Sequence, residues 1–103
     1  MAHAGEDRDL RRLREEQVEA DRVLEALAAA LAADGNTLLD ADERSVIDRA
    51  ADHLATVRDG DDYRSIKQAI EAVEAASADF VERRMNSSIR AAMAGHSVDE
   101  FKG

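Results

Sequence analysis

The 103-residue chain has no cysteine, no proline and no tryptophan, and its aromatic residues are one tyrosine and two phenylalanines. Without cysteine there is no disulfide framework, no thiolate metal site and no thiol nucleophile. Without proline, nothing in the chain breaks a helix by removing a backbone donor. No apolar run approaches the roughly 20 residues that span a bilayer. The first residues, Met1 to Asp7, are neither basic nor apolar, so no secretory signal is expected. Positive charge is scarce as well: 14 Lys and Arg stand against 23 Asp and Glu, for a net charge of −9. That balance argues against a nucleic-acid partner, since phosphate contact relies on clustered cations, and against an anionic membrane surface. A protein partner remains.

What is present is alanine, leucine, glutamate and arginine. Alanine alone accounts for 21 residues, a composition of long helices in close contact rather than of a bulky core. Three apolar stripes recur at helical spacing. The first runs Leu10, Leu13, Gln17, Ala20, Leu24, Leu27 and Leu31, widened by Val23, Ala28 and Ala30. The second is Val46/Ile47, Ala50, Leu54 and Val57. The third is Tyr63, Ile66, Ile70, Val73, Ser77, Phe80 and Arg84, flanked by Val81, Met85, Ile89 and Met93. Asp34-Gly35-Asn36 is expected to stop the first helix, with Gly35 in a left-handed cap. Asp40 and Glu43 have capping-box spacing for the second helix. Asp59-Gly60-Asp61-Asp62 closes the second helix and opens the third. Short connections make neighbours antiparallel. The expected fold is all-α: an antiparallel three-helix bundle with long first and third helices over about 5–34, 41–58 and 62–94, then a flexible C-terminal tail, 95–103.

Little in this pattern supports catalysis or metal binding. The acidic turns at Asp34 and Asp59 fail the calcium-loop pattern, because the sixth loop position is Leu39 in one and Arg64 in the other. His53 has no second histidine at helical spacing, and Ser87, Ser88 and Ser97 lack a local base. No glycine-rich phosphate loop is present. Arg83, Arg84 and Arg90 form a basic cluster on an acidic chain. Arg90 suits the end of a helix whose dipole favours cations. Arg84 falls on the apolar stripe, where its head can pair with an acid of another helix. Met85, Ile89 and Met93 are expected to pack on the second helix.

The combination of Phe80, Arg83-Arg84-Met85, Ser88, Arg90 and Gly95-His96-Ser97-Val98-Asp99-Glu100 resembles the C-terminus of the HscA family. These are the DnaK-like heat-shock chaperones of bacterial iron–sulfur cluster assembly. The similarity continues upstream through LREEQVEADRVLEAL (Leu13 to Leu27), ALAADG (Ala30 to Gly35), DERSVID (Asp42 to Asp48) and GDDYRSIKQAIEAVE (Gly60 to Glu74), and so covers essentially the whole chain. Phe101-Lys102-Gly103 departs from the shorter family ending. The resemblance implies a helical lid subdomain over 1–94, which closes on a peptide held in a β-sandwich of the same longer chain. It also implies an ATPase domain elsewhere that controls the lid, so that ATP and Mg belong to the full-length chaperone and no cofactor to this segment. It implies an IscU-type scaffold protein as client, a J-type co-chaperone, and a bacterial cytoplasmic location.

Counting along the resemblance places Asp21, with Gln17 one turn earlier, where DnaK-type lids carry a latch to the sandwich rim. The residues themselves offer a plainer reading of Asp21, as a helix-surface charge among Arg22 and Glu25. Leu10 and Leu13 extend beyond the reach of the shorter helices and are candidate interface residues, inviting self-association when uncovered. The alternative reading is a free-standing helical adaptor or dimerisation module.

Overall fold

The structure is a computed structural model that describes the backbone of residues 2–102 and the side chains of residues 8–94. It consists of α1 (Ala2–Leu38), α2 (Ala41–Arg58) and α3 (Tyr63–Lys102), with no strand among the described residues. The expected three-helix bundle with long first and third helices is what forms. Leu39 and Asp40 alone separate α1 from α2, so these two run antiparallel, and the short turn before Tyr63 reverses the chain again.

The core is the sum of the three stripes. Ala20, Leu27 and Leu31 of α1, Ile47 and Leu54 of α2, and Ile66, Ala69, Ile70, Val73 and Phe80 of α3 are buried together. Of the adjacent pair Val46/Ile47, Ile47 takes the core and Val46 faces solvent. Ser77 is also buried, and its hydroxyl donates to the Val73 carbonyl at 2.7 Å. This back-bond to the preceding turn satisfies a polar group in an apolar seam. At the start of α2, the Asp40 carboxylate accepts from the Glu43 N–H at 2.7 Å, and the Glu43 carboxylate accepts from the Asp40 N–H at 3.1 Å. The capping box therefore forms as expected.

Two expectations about helix ends are corrected. Helix α1 does not stop at Asp34-Gly35-Asn36 but continues to Leu38, and no glycine among the described residues has positive φ. The extra turn is held by tertiary contacts. Leu38 and Leu39 pack on the core, and the Arg83 guanidinium donates to the Leu38 carbonyl at 2.9 Å, satisfying an end group that a glycine cap would otherwise have served. Helix α3 continues past Ala94 to Lys102, so Arg90 sits well inside it rather than in its last turn. The expected flexibility of 95–103 concerns side chains outside the described residues.

Length mismatch decides which surfaces stay open. Helix α2 has 18 residues against 37 and 40 for α1 and α3, so it reaches along less than half of either. The molecule extends 72 × 32 × 17 Å, with a radius of gyration of 18.8 Å, against about 13 Å for a compact domain of this size. Met85, Ile89 and Met93 do not pack on α2 as expected. They are 60%, 51% and 63% exposed, because α3 has by then passed the end of its neighbours.

Candidate interaction surface

At the end where α1 and α3 both begin, Tyr63 is the organising side chain. The guanidinium groups of Arg12 and Arg64 each lie 5.7 Å from its ring centroid, a favourable placement of cations over a π face. Asp62 caps α3, accepting from the Ser65 hydroxyl at 2.8 Å and the Arg64 N–H at 3.1 Å. Those bonds, the Ser65 one foremost, pull its carboxyl below the ordinary range. Beside this cap lies a shallow hollow lined by Asp9, Leu10, Leu13 and Asp61. Of the two leucines expected to be uncovered, Leu10 is 54% exposed, whereas Leu13 is half-buried against the core. The apolar surface at this end is thus narrower than the stripe suggested.

The structure brings Gln17 and Asp21 together on one residue of α2. Gln17 Nε2 donates to the Arg58 carbonyl at 3.1 Å, and Arg58 Nη1 donates to Asp21 Oδ1 at 2.8 Å. Gln17 thereby satisfies one of the free carbonyls of the last turn of α2, while Asp21 pairs with the cation that the same helix end favours. The Asp21 bond is the first cause holding the Arg58 guanidinium above its usual pKa, followed by the charge of Asp59. Arg22, the local partner considered for the helix face, instead lies 3.7 Å from Glu19. Nothing in the spacing of either residue pointed to Arg58, because the pair joins different helices.

At the opposite end, the arginine cluster ties the helices together. Arg84 Nε donates to Asp34 Oδ2 of α1 at 2.7 Å, and its guanidinium lies 6.0 Å over the Phe80 ring. Its expected pairing with an acid of another helix is what the structure shows. Arg83 bonds the Leu38 carbonyl through Nη1 and reaches Glu43 through Nη2 at 2.6 Å. One side chain thus joins the end of α1 to the start of α2.

The Arg83 guanidinium, and after it the Asp40 N–H, hold the Glu43 carboxyl down from 4.5 to about 2. A native value below the unfolded one means that this contact contributes fully above about pH 4.5 and is lost as pH falls towards about 2. Glu43→Gln should therefore flatten part of the acid limb of stability, measured as urea midpoints between about pH 5 and about pH 2. Wild type and variant falling in parallel over that window would show that Glu43 is not held by Arg83 in solution.

No family profile matches the chain. Individual relatives do. A chaperone protein HscA homolog of an Azoarcus species is 55% identical over 102 residues, covering 99% of this chain. The homolog of Photobacterium profundum is 52% identical over 100 residues, and chaperone protein HscA of Escherichia coli is 54% identical over 100, each covering 97% of this chain. The chain belongs to the HscA chaperone family. It spans 16% of the length of these relatives, consistent with the C-terminal part of an HscA sequence. The three-helix bundle is therefore a structure of a chaperone's C-terminal region. No helix among the described residues is long and apolar enough to cross a membrane.

Proposed function

We propose that the chain is the helical lid of the peptide-binding unit of an HscA-type chaperone. The observation that carries this reading is the 55% identity to an HscA homolog over 99% of the chain. In this reading the ATPase domain and the peptide-binding β-sandwich belong to the longer protein and act from outside this segment, which itself performs no catalysis. ATP and Mg bind to that ATPase domain. The client is an iron–sulfur cluster scaffold protein of the IscU type, delivered with a J-type co-chaperone in the bacterial cytoplasm. The end of α1 bearing exposed Leu10 faces the sandwich.

Asp21 and Gln17 fit a latch in this scheme. The Asp21 side chain keeps 61% of its surface exposed even while paired with Arg58, so a sandwich residue can compete for it without unfolding the bundle. Two measurements on the full-length protein containing this chain test the reading. Truncation before Leu10 should speed release of a bound scaffold peptide, and unchanged release would end the lid assignment. Asp21→Ala should also speed release several-fold, while the isolated chain melts nearly as before, because exposed ion pairs contribute little. Unaltered release in that variant would leave Asp21 only its bond to Arg58.

A further inference from the structure

Three charged side chains meet where α2 ends, and the cation is the most covered of them. Arg58 is the last residue of α2. Its Nη1 donates to Asp21 Oδ1 at 2.8 Å, and its Nε lies 3.4 Å from Asp59 Oδ1. The Arg58 side chain is 33% exposed, against 61% for Asp21 and 74% for Asp59. Its main chain is fixed independently of its charge, because the Arg58 carbonyl accepts from Gln17 Nε2 at 3.1 Å. One guanidinium therefore serves two carboxylates, one from α1 and one from the turn after α2.

Such a site behaves differently from a single ion pair. A cation that loses its only carboxylate is left without a partner, which costs more the more it is covered. Here Asp21 can leave while Arg58 keeps Asp59. Asp59 is joined to Arg58 by the next peptide bond and stays beside it. The two acids thus share one charge: Arg58 holds Asp21 on the bundle, and Asp59 weakens that hold.

We propose that Arg58 is a built-in competitor of the latch, holding Asp21 against the bundle and so setting how much of that carboxylate is free for a cation of the peptide-binding domain, with Asp59 tuning the competition from the other side. This role rests on the latch reading of Asp21. Closure then exchanges one ion pair for another, and an equilibrium shifts only by the difference in affinity between its two states. That difference is small for exposed pairs, so the lid stays reversible. Removing the internal cation and removing its second acid should move the difference in opposite directions.

Release of a fluorescently labelled scaffold peptide from the full-length protein containing this chain tests this at low salt. Arg58→Gln should slow release about twofold to fivefold, the range an exposed ion pair supplies. It leaves the Gln17 bond to the main chain in place, so far-ultraviolet circular dichroism should be unchanged. Arg58→Lys, which keeps the charge, should stay closer to wild type. Asp59→Asn should speed release, because Arg58 then serves Asp21 alone. Both effects should vanish when Asp21→Ala is added. A purely structural role for Arg58 would loosen the end of α2 and move release the same way in both variants. Release at the wild-type rate or faster in Arg58→Gln, shifts of one sign in Arg58→Gln and Asp59→Asn, or an Arg58→Gln effect that persists with Asp21→Ala would overturn the competitor, while faster release in Asp21→Ala alone keeps the latch. No effect of Asp21→Ala would remove the latch and the competitor together.

Discussion

Phe80→Ala is expected to destabilise the bundle by about 3–5 kcal/mol, the range for emptying a fully buried aromatic site. Phe80 is 1% exposed and is the largest of the fully buried side chains of the core. The loss includes more than transfer of the ring. The Arg84 guanidinium rests over that ring while bonding Asp34, so the cavity also removes the surface that orients an interhelical ion pair. Domains of this size are stable by roughly 5–15 kcal/mol in total, so the variant should be marginal. Its Tm should fall by at least about 12 °C, taking about 4 °C per kcal/mol. Ile89→Ala supplies the comparison, since it removes a large apolar side chain from the same helix at a site 51% exposed. It should change stability by no more than about 0.5 kcal/mol. Equal urea midpoints for the two variants would mean that the register of α3 against the bundle is wrong.

Gly35→Ala should stabilise the chain, by about 0.5–1 kcal/mol. Its sign is what matters. Were Gly35 a left-handed cap, as the Asp34-Gly35-Asn36 sequence suggests, alanine would be strained there and the variant less stable. In the structure Gly35 lies within α1 with negative φ, where alanine fits the backbone and reduces the freedom of the unfolded chain. An added Cβ would come 2.8 Å from Arg44 Nη1 and 3.5 Å from Leu31 Cδ2. The near atom is the tip of a long side chain, anchored to Asp48 through Nε at 3.2 Å, and it can swing aside. Thermal melts should show a rise of about 2–8 °C. A fall in Tm would restore the cap and shorten α1 in solution.

Much of the fold was legible because its determinants are local. The third stripe from Tyr63 to Phe80 names the buried face of α3 nearly residue for residue, since helical period alone decides which side chains share a face. The Asp40/Glu43 capping box was legible for the same reason, being two bonds closed within four consecutive residues. The HscA kinship was legible from residues 13–74 and the arginine-rich segment, and the identities over 99% of the chain agree with it.

Sequence by itself thus determined that there are three helices, which face of each is apolar, and that no thiol chemistry is available. Tertiary structure decided the rest. Asp21 meets Arg58 across 37 positions, Gln17 meets the Arg58 carbonyl across 41, Arg83 meets the Leu38 carbonyl across 45 and Arg84 meets Asp34 across 50. No local pattern specifies partners so far apart; they are set by the length and crossing of packed helices. The same geometry holds α1 intact through Gly35, because Arg83 satisfies its final carbonyl. It also leaves Met85, Ile89 and Met93 in solvent, because α2 does not extend far enough to reach them. An apolar stripe says that a surface is suited to burial, and only the lengths of the neighbouring helices say whether anything arrives to bury it.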